Sequence, residues 1–232
     1  MPKTIAILQS FYIPWKGYFD IIHRADEFVL FDDMQYTKRF WINRNQIKTP
    51  EGRIWLTIPV KVKGRFRQAI KDTEISDRRW KERQWETIKR NYARAPYFNH
   101  YVDRFERLYL ECEETIISRI NYRFISAICD MLGIGTVIRW SMDYPIIAGK
   151  TERLVDICRQ AGADIYLTGP SARNYLQEDL FREAGIQVTY MDYSGYPEYP
   201  QLFPPFIHEV SVIDLLFNTG PDAPRYMKSF VD

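Results

Sequence analysis

The sequence has few cysteines and no long apolar run, and each absence excludes a class of protein. Its three cysteines, Cys112, Cys129 and Cys158, lie far apart and form no CxxC pair. A scattered, odd-numbered set argues against a disulfide framework and a zinc site, and it is typical of a reducing compartment. No apolar run approaches the ~18 residues of a membrane span, and no signal peptide opens the chain. We therefore expect a cytoplasmic protein without a membrane span.

Histidine is scarce as well. With only His23, His100 and His208, no Ser-His-Asp or Cys-His arrangement is evident. The sequence also lacks long repeats, low-complexity tracts and clear linkers. The 232 residues, 46% hydrophobic and 27% charged, are typical of a globular chain. We predict one α/β domain over residues 1–232, with a basic, Trp-rich and then helical middle region at about 50–132.

Aromatic residues are abundant, and the charge is unevenly distributed. Aromatics make up 16% of the chain, and the net charge is +2. Between residues 36 and 94, basic residues outnumber acidic ones by about three to one. Such a segment either faces the phosphates of a nucleotide, a sugar nucleotide or a nucleic acid, or forms a solvated basic surface.

The N-terminal segment has the pattern strand, loop, helix, strand. TIAIL (4–8) and EFVLFDD (27–33) are short apolar runs, and residues 17–25 between them have apolar positions at helical spacing. This βαβ pattern predicts two parallel strands, and ligands of such sheets bind beyond the carboxyl ends of the strands. Both polar loops described below leave that edge.

The rest of the chain extends the α/β pattern. One or two strands are predicted in 53–62, a helix in 78–94 after Asp77, and one or two helices in 101–132 that end at Gly133. Strands are predicted at 136–140, 164–168 and 186–191. Helices are predicted at 151–161, before Gly185, and at 211–217. The fold class is therefore α/β, a mostly parallel sheet with helical cover.

The stretch ILQSFYIPWKGYFDII (7–22) follows the first strand and is too rich in functional groups for a simple turn. Its amide, phenol and indole groups can hydrogen-bond or stack on a ligand, or else form an aromatic core. The candidate substrate-binding residues here are Gln9, Tyr12, Trp15, Gly17 and Tyr18.

The segment DDMQYTKRFWINRNQI (32–47) follows the second strand. Its amide and guanidinium groups bind carboxylates and phosphates directionally, so they converge either on a ligand or on each other in a buried network. Asp32 or Asp33 would act as a general base or hold Mg²⁺ with phosphates, or else cap a turn or pair with Arg44. The candidate catalytic residues are Asp32, Asp33, Lys38, Asn43 and Arg44, and further substrate-binding candidates are Gln35, Tyr36, Trp41 and Asn45.

Both stretches together resemble the opening signature of the WbqC-like family. GKTERL (149–154), ADIYLTGPSARNYL (163–176) and SVIDLLFNTG (211–220) resemble its later blocks, so the resemblance covers nearly the whole chain. It implies a protein of bacterial O-antigen (lipopolysaccharide) or related polysaccharide gene clusters. It also implies glycine transfer to an amino sugar, for which an activated carboxylate from ATP or an aminoacyl-tRNA would be needed.

Two shorter resemblances favour a nucleotide. PWKGYFDII is similar to the Pro-x-x-Gly-His turn of HIGH-type nucleotidyltransferases, with Tyr18 in place of the histidine, and this implies a nucleotidyltransferase-like topology. PSARNYLQEDL resembles the SSRN-x-YL loop of pantoate–β-alanine ligases, with Ala172 replacing the second serine. The resemblance and the helix start at Lys150 give the predicted phosphate-binding set: Lys150, Arg153, Gly169, Ser171, Arg173, Asn174 and Tyr175.

These observations predict an acyltransferase, with glycyl as the candidate acyl group, acting on the amino group of a nucleotide-linked amino sugar. ATP with Mg²⁺ is a candidate cofactor, an aminoacyl-tRNA a candidate partner, and no resident metal site is predicted. Two alternatives remain open at this point. One is a non-catalytic RNA- or glycan-binding module, and the other is a nucleotidyltransferase acting on a sugar phosphate.

Overall fold

A computed structural model describes residues 2–145 and 149–231 of the protein. Its strands are β1 (Thr4–Leu8), β2 (Glu27–Leu30), β3 (Arg44–Thr49), β4 (Gly52–Thr57), β5 (Val137–Trp140), β6 (Ile165–Thr168) and β7 (Gln187–Tyr190). Its helices are α1 (Lys16–His23), α2 (Trp80–Tyr92), α3 (Phe98–Leu110), α4 (Ile117–Leu132), α5 (Thr151–Gln160), α6 (Glu178–Glu183) and α7 (Val212–Thr219). No helix among the described residues has both the length and the apolar character needed to cross a membrane.

Five strands form one parallel sheet in the order β5-β2-β1-β6-β7. The chain runs outward from β1 through β2 to β5, and then returns through α5 to β6 on the other side of β1. The order of connection therefore reverses between β1 and β6. In sheets of this kind the ligand crevice lies outside the carboxyl ends of the strands at that reversal. The predicted α/β fold with a mostly parallel sheet is confirmed, whereas the HIGH-type topology stays a prediction.

Helices cover both faces of the sheet, because alternate residues of the buried strands point to opposite sides. Ala6 and Phe28 belong to a large cluster of buried residues that also contains residues of α1, α2, α3, α4 and α7. Ile5 and Val29, one position away, belong to a second cluster with α5 and α6. The larger cluster joins the sheet to the middle helices, and the single domain over residues 1–232 stays a prediction.

The middle helices follow from their apolar stripes. Trp85, Ile88 and Tyr92 are buried on one side of α2, as their spacing predicts. The predicted helical region 101–132 contains most of α3 and all of α4, and α4 is followed by Gly133, whose φ of +74° is the left-handed conformation that glycine adopts without strain. The Asp77 carboxylate accepts the Arg79 N–H at 2.8 Å, so it stabilises the turn that precedes α2.

Strands β3 and β4 form a separate antiparallel hairpin. The second polar-aromatic segment is therefore not a loop throughout, since its last residues from Arg44 onward lie in β3. The alternation of buried and exposed residues is clear only at the start of β3, where Asn45 points inward between Arg44 and Gln46. A polar inward residue conceals this pattern from a search for apolar periodicity.

Candidate functional site

An apolar cavity of about 270 Å³ lies between the two polar-aromatic segments. The first segment contributes Phe11, Pro14 and Trp15, and the second contributes Trp41 and Asn45. A sixth lining residue, Glu209, precedes α7 and supplies the single carboxylate. The loop from Gln9 to Trp15 leaves the carboxyl end of β1, so the cavity adjoins the edge at which ligands of doubly wound sheets bind.

Backbone hydrogen bonds hold the two walls of the cavity together. The Tyr12 N–H donates to the Trp41 carbonyl at 3.0 Å. Asn45 Nδ2 donates to the carbonyls of Tyr12 and Ile13 at 3.1 and 2.9 Å. Asn45 therefore fixes the first segment from the second, and any ligand meets a preformed wall rather than a flexible loop.

The turn at Ile13 is strained. Its φ of +36° is uncommon for a β-branched residue, and such conformations cost about 1–3 kcal/mol and persist only where the surroundings fix them. Here the Ile13 carbonyl accepts hydrogen bonds from Asn45 and from the Ser211 hydroxyl at 2.7 Å. These hydrogen bonds hold the strained chain between Phe11 and Trp15 in the shape that forms the cavity wall.

Aromatic rings continue from the cavity toward the sheet. The Phe11 ring lies 5.4 Å from that of Tyr18, and the Trp15 ring lies 5.2 Å from that of Tyr193. The Trp15 ring covers Gly17 so closely that a Cβ there would lie 2.3 Å from it. Gly17 is therefore needed for the position of Trp15, which explains the glycine without a ligand contact.

The neighbouring aspartates Asp32 and Asp33 occupy different environments. Asp32 is fully buried, accepts the Ser10 N–H at 2.8 Å and accepts the Ser118 hydroxyl. Burial raises the pKa of Asp32, and these hydrogen bonds oppose the rise. The geometry gives Asp32 a structural role, because its carboxylate joins the backbone of the loop at Ser10 to Ser118 at the start of α4.

Asp33 lies closer to solvent at the carboxyl edge of the sheet. Its carboxylate forms an ion pair with the Arg153 guanidinium and accepts the Ser141 hydroxyl at 2.6 Å. Arg153 lies in the first turn of α5, and burial lowers its pKa. The predicted catalytic and phosphate-binding sets thus meet in this one pair, and the Arg153 guanidinium also lies 5.2 Å from the centre of the Phe31 ring.

Several of the other candidate residues bond to one another or to the backbone. The Tyr12 hydroxyl contacts the Gln84 amide oxygen at 2.6 Å and the Tyr109 hydroxyl at 2.7 Å, and burial raises the pKa of Tyr12. The Tyr18 hydroxyl donates to the Gln9 carbonyl at 3.0 Å. Both tyrosine hydroxyls are therefore bonded within the protein, and they hold the loop that follows β1 in place.

The Asn43 side chain is also inside. It accepts the Tyr36 hydroxyl at 2.9 Å and donates to the Ile58 carbonyl at 2.7 Å. In contrast, Gln35 is exposed and donates to the Phe66 carbonyl at 2.6 Å. Neither Asn43 nor Gln35 lines the cavity.

The predicted phosphate-binding residues of the second half do not line the cavity either. Lys150 is exposed, and its N–H donates to the Glu152 carboxylate at 3.0 Å, so a carboxylate already lies at the start of α5. The Arg173 guanidinium stacks on the Tyr190 ring at 3.8 Å, and Ser171, Asn174 and Tyr175 are exposed. Gly169 approaches Tyr193, which connects this loop to the aromatic rings around Trp15.

Sequence reasoning missed the carboxylate of the cavity and two apolar lining residues, Phe11 and Pro14. Phe11 and Pro14 stand in the quoted opening stretch, where their apolar character was the available signal. Glu209 lies at least 164 residues from the other lining residues, and nothing in its local sequence indicates a site. In the described ranges, no group of three His, Cys, Asp or Glu side chains is arranged to hold a metal ion.

Fold and cavity together define the class: a doubly wound α/β protein with an aromatic pocket at the carboxyl edge of its sheet. The chain belongs to the WbqC-like protein family, whose model matches residues 9–226. An uncharacterized protein of Mycobacterium tuberculosis is 50% identical over 226 residues, which cover 97% of this chain and 98% of that protein. No solved structure matches the chain. Family membership suggests a role connected with surface-polysaccharide gene clusters.

Proposed function

We propose that the protein transfers an acyl group, specifically glycyl, to the amino group of a nucleotide-linked amino sugar. The observation that carries this proposal is the cavity in which Trp15 and Trp41 accompany one carboxylate, Glu209. A sugar ring presents a flat face of C–H groups that packs on aromatic rings, and a protonated amine pairs with a carboxylate. An amino sugar combines both features.

The size of the cavity supports a ligand that is only partly enclosed. Its volume of about 270 Å³ is just below the ~300–1,000 Å³ typical of small-molecule sites. We expect it to hold the amino sugar ring, with the nucleotide extending along the sheet edge. There, Arg153 and the loop that contains Gly169, Ser171, Arg173, Asn174 and Tyr175 are the candidates for phosphate contacts.

The chemistry requires a free amine. Glu209 first accepts a proton from the ammonium group of the sugar, which leaves the nitrogen lone pair available. The amine nitrogen then attacks the carbonyl carbon of an activated glycyl ester, an N–C bond forms, and the C–O bond to the carrier breaks. The carrier oxygen takes up a proton as it leaves, so the products are the N-glycyl sugar and the free carrier. Positioned general bases contribute about 10²–10⁴-fold to such steps.

An acylation assay tests this assignment. Purified protein is incubated with a nucleotide-linked amino sugar and with either glycyl-tRNA or glycine plus ATP and Mg²⁺, and the sugar nucleotide is analysed by mass spectrometry. We expect addition of one glycyl residue by the wild type and a rate lower by about 10²-fold or more for Glu209→Gln. Glu209 is 73% exposed, with Arg53 at 3.7 Å, so this substitution leaves the fold intact.

Glu183→Gln is the matched control, because Glu183 is an exposed carboxylate on α6 that does not line the cavity. It should acylate at the wild-type rate. Unchanged acylation by Glu209→Gln would show that the carboxylate is not the base. Sugar binding without any product would identify a glycan-binding module instead of an enzyme.

A further inference from the structure

An exposed surface of aromatic and basic residues adjoins the cavity and has no part in enclosing the sugar. Phe40, Trp55 and Phe66 are 38%, 41% and 74% exposed, which is unusual for rings of this size. We call these three rings with their neighbouring cations the hairpin surface. Trp41 connects it to the cavity, since its ring lies 5.3 Å from that of Trp55.

Cations stand beside these rings. The Arg44 guanidinium lies 4.0 Å from the Trp55 ring centre, and the Lys38 ammonium lies 5.3 Å from that of Phe66. Over residues 36–67 the sequence has nine Lys and Arg residues and one acidic residue, Glu51. The charge of this surface is therefore strongly positive, although the whole chain is nearly neutral.

Several of these cations have no acidic partner. Arg53 pairs with Glu209, and Lys61 and Arg65 both pair with Glu74. Within the described part of the chain, no carboxylate forms an ion pair with the other four exposed cations of residues 36–67, which are Lys38, Arg39, Lys63 and Arg67. Unpaired cations between exposed rings would be costly in an apolar protein interface and are suited to phosphates.

We propose that the hairpin surface binds single-stranded RNA, and that this RNA carries the activated acyl group to the cavity. Unpaired bases stack on aromatic rings at about 1–3 kcal/mol per base, and neighbouring cations follow the phosphates. A double helix hides its base faces and does not fit exposed single rings. The identity of the carrier rests on the proposed function, whereas binding of the single strand does not.

In this arrangement the leaving group of the acyl transfer is a terminal ribose hydroxyl. The amine nitrogen of the sugar attacks the ester carbonyl, the C–O bond to the ribose breaks, and the ribose oxygen takes up the proton. The free RNA then leaves from the open surface while the sugar stays beside Glu209. Trp41 lies at the junction, where the last nucleotide would meet the sugar ring.

Fluorescence anisotropy with a labelled single-stranded RNA of about ten nucleotides tests the binding. We expect affinity to fall with salt with a slope of about −3 in log K against log salt, from four phosphate contacts at about −0.7 each. Phe66→Ala should weaken binding by about 5- to 150-fold, which corresponds to one lost stacking contact. Phe66 is the best of the three rings to substitute, because it is the most exposed of them and does not line the cavity.

Tyr122→Ala is the matched control, since Tyr122 is a half-exposed ring on α4 away from the hairpin. It should bind the RNA like the wild type, and thermal midpoints of both variants should stay close to that of the wild type. Equal affinity for a duplex of the same sequence, or no effect of Phe66→Ala, would overturn the proposal. A dimer that dissociates on Phe66→Ala would overturn it as well and would assign the surface to self-association.

The acylation assay separates the two proposals. If the sugar nucleotide is glycylated from glycine and ATP while the RNA does not bind, the proposed function stands and the proposal that RNA is the carrier is wrong. If the RNA binds and no acylation occurs with any donor, the binding surface stands and the transferase assignment is wrong.

Discussion

At the scale of single residues, Lys16 is a cation buried beside aromatic rings. It begins α1 and is 4% exposed. Its ammonium lies 4.7 Å and 5.2 Å from the rings of Tyr196 and Tyr199, and it donates to the Pro197 carbonyl at 3.1 Å. Burial lowers the pKa of Lys16 to about 8, and the charge of Asp20 opposes that shift. Lys16 therefore joins α1 to the segment that contains Tyr196, Pro197 and Tyr199, and its ammonium is not available to a phosphate.

This pKa predicts how stability depends on pH. In the unfolded chain Lys16 keeps its ordinary pKa near 10.5, so between about pH 8 and 10 the unfolded state binds more protons there than the folded state. The free energy of unfolding contributed by Lys16 should therefore rise with pH, by up to ~1.4 kcal/mol per unit. Denaturant unfolding of wild type and Lys16→Met at pH 7.5 and 9.5 measures it.

The informative quantity is the difference between the two proteins, because it cancels the titration of other groups. The stability of the wild type should improve relative to Lys16→Met as the pH increases across this interval. A difference that is flat, or that falls with pH, would mean that folding does not lower the pKa of Lys16.

At the scale of elements, helix α4 joins the two loops that form the cavity walls. Ser118 in its first turn donates to Asp32, which also holds the Ser10 N–H. One turn later, the buried Asn121 Nδ2 donates to the Ser10 carbonyl at 3.2 Å and to the Ile42 carbonyl at 2.8 Å. The helix therefore positions both walls from beneath.

We expect Asn121→Ala to lower the free energy of unfolding by about 1–3 kcal/mol, because it leaves buried carbonyls without a donor. It should also weaken sugar-nucleotide binding, since both walls lose their common support. Urea unfolding and calorimetric binding measure the two effects. Asn91→Ala is the comparison, because Asn91 donates only to the Thr87 carbonyl one turn earlier in α2. An Asn121→Ala protein as stable as Asn91→Ala would contradict this role.

At the scale of the whole molecule, the sheet order determines where a ligand binds. The reversal between β1 and β6 leaves a crevice at their carboxyl ends, and the aromatic cavity adjoins the β1 side of it. Residues that line the crevice come from both halves of the sequence. A ligand that spans it therefore stabilises the packing of those halves as well as the loops.

A sugar nucleotide at a hundred times its dissociation constant should add ~2.7 kcal/mol to the free energy of unfolding. For a chain of this length we expect the thermal midpoint to rise by about 5–10 °C. Glycine alone should produce no comparable shift, because the cavity is apolar and larger than glycine. An equal shift with free nucleotide and with the sugar nucleotide would mean that most of the binding energy comes from nucleotide contacts outside the cavity.

Trp15→Ala should remove most of the shift that the sugar nucleotide produces, if the sugar ring packs on the Trp15 ring.

Much of the fold was predictable because its signals are local. Apolar runs indicated β1 and β2, and apolar stripes indicated the helices. The helix predicted at 211–217 corresponds to α7, whose cap Ser211 accepts the Ile213 N–H at 3.4 Å with its hydroxyl. The start of β3 was missed, since the inward position at Asn45 is an amide and breaks the apolar alternation.

The candidate site was predictable only in outline. The sequence alone determined that two polar-aromatic segments follow neighbouring parallel strands, and the geometry of such sheets places both at one edge. Tertiary packing decided which members face the cavity, as Trp15 and Trp41 do, and which are bonded inside, as Asn43 and Asp32 are. It also brought Glu209 to the pocket. The physical reason is that strand and helix signals arise between residues a few positions apart, whereas each hydrogen-bond partner and each lining residue depends on segments that meet across the whole chain.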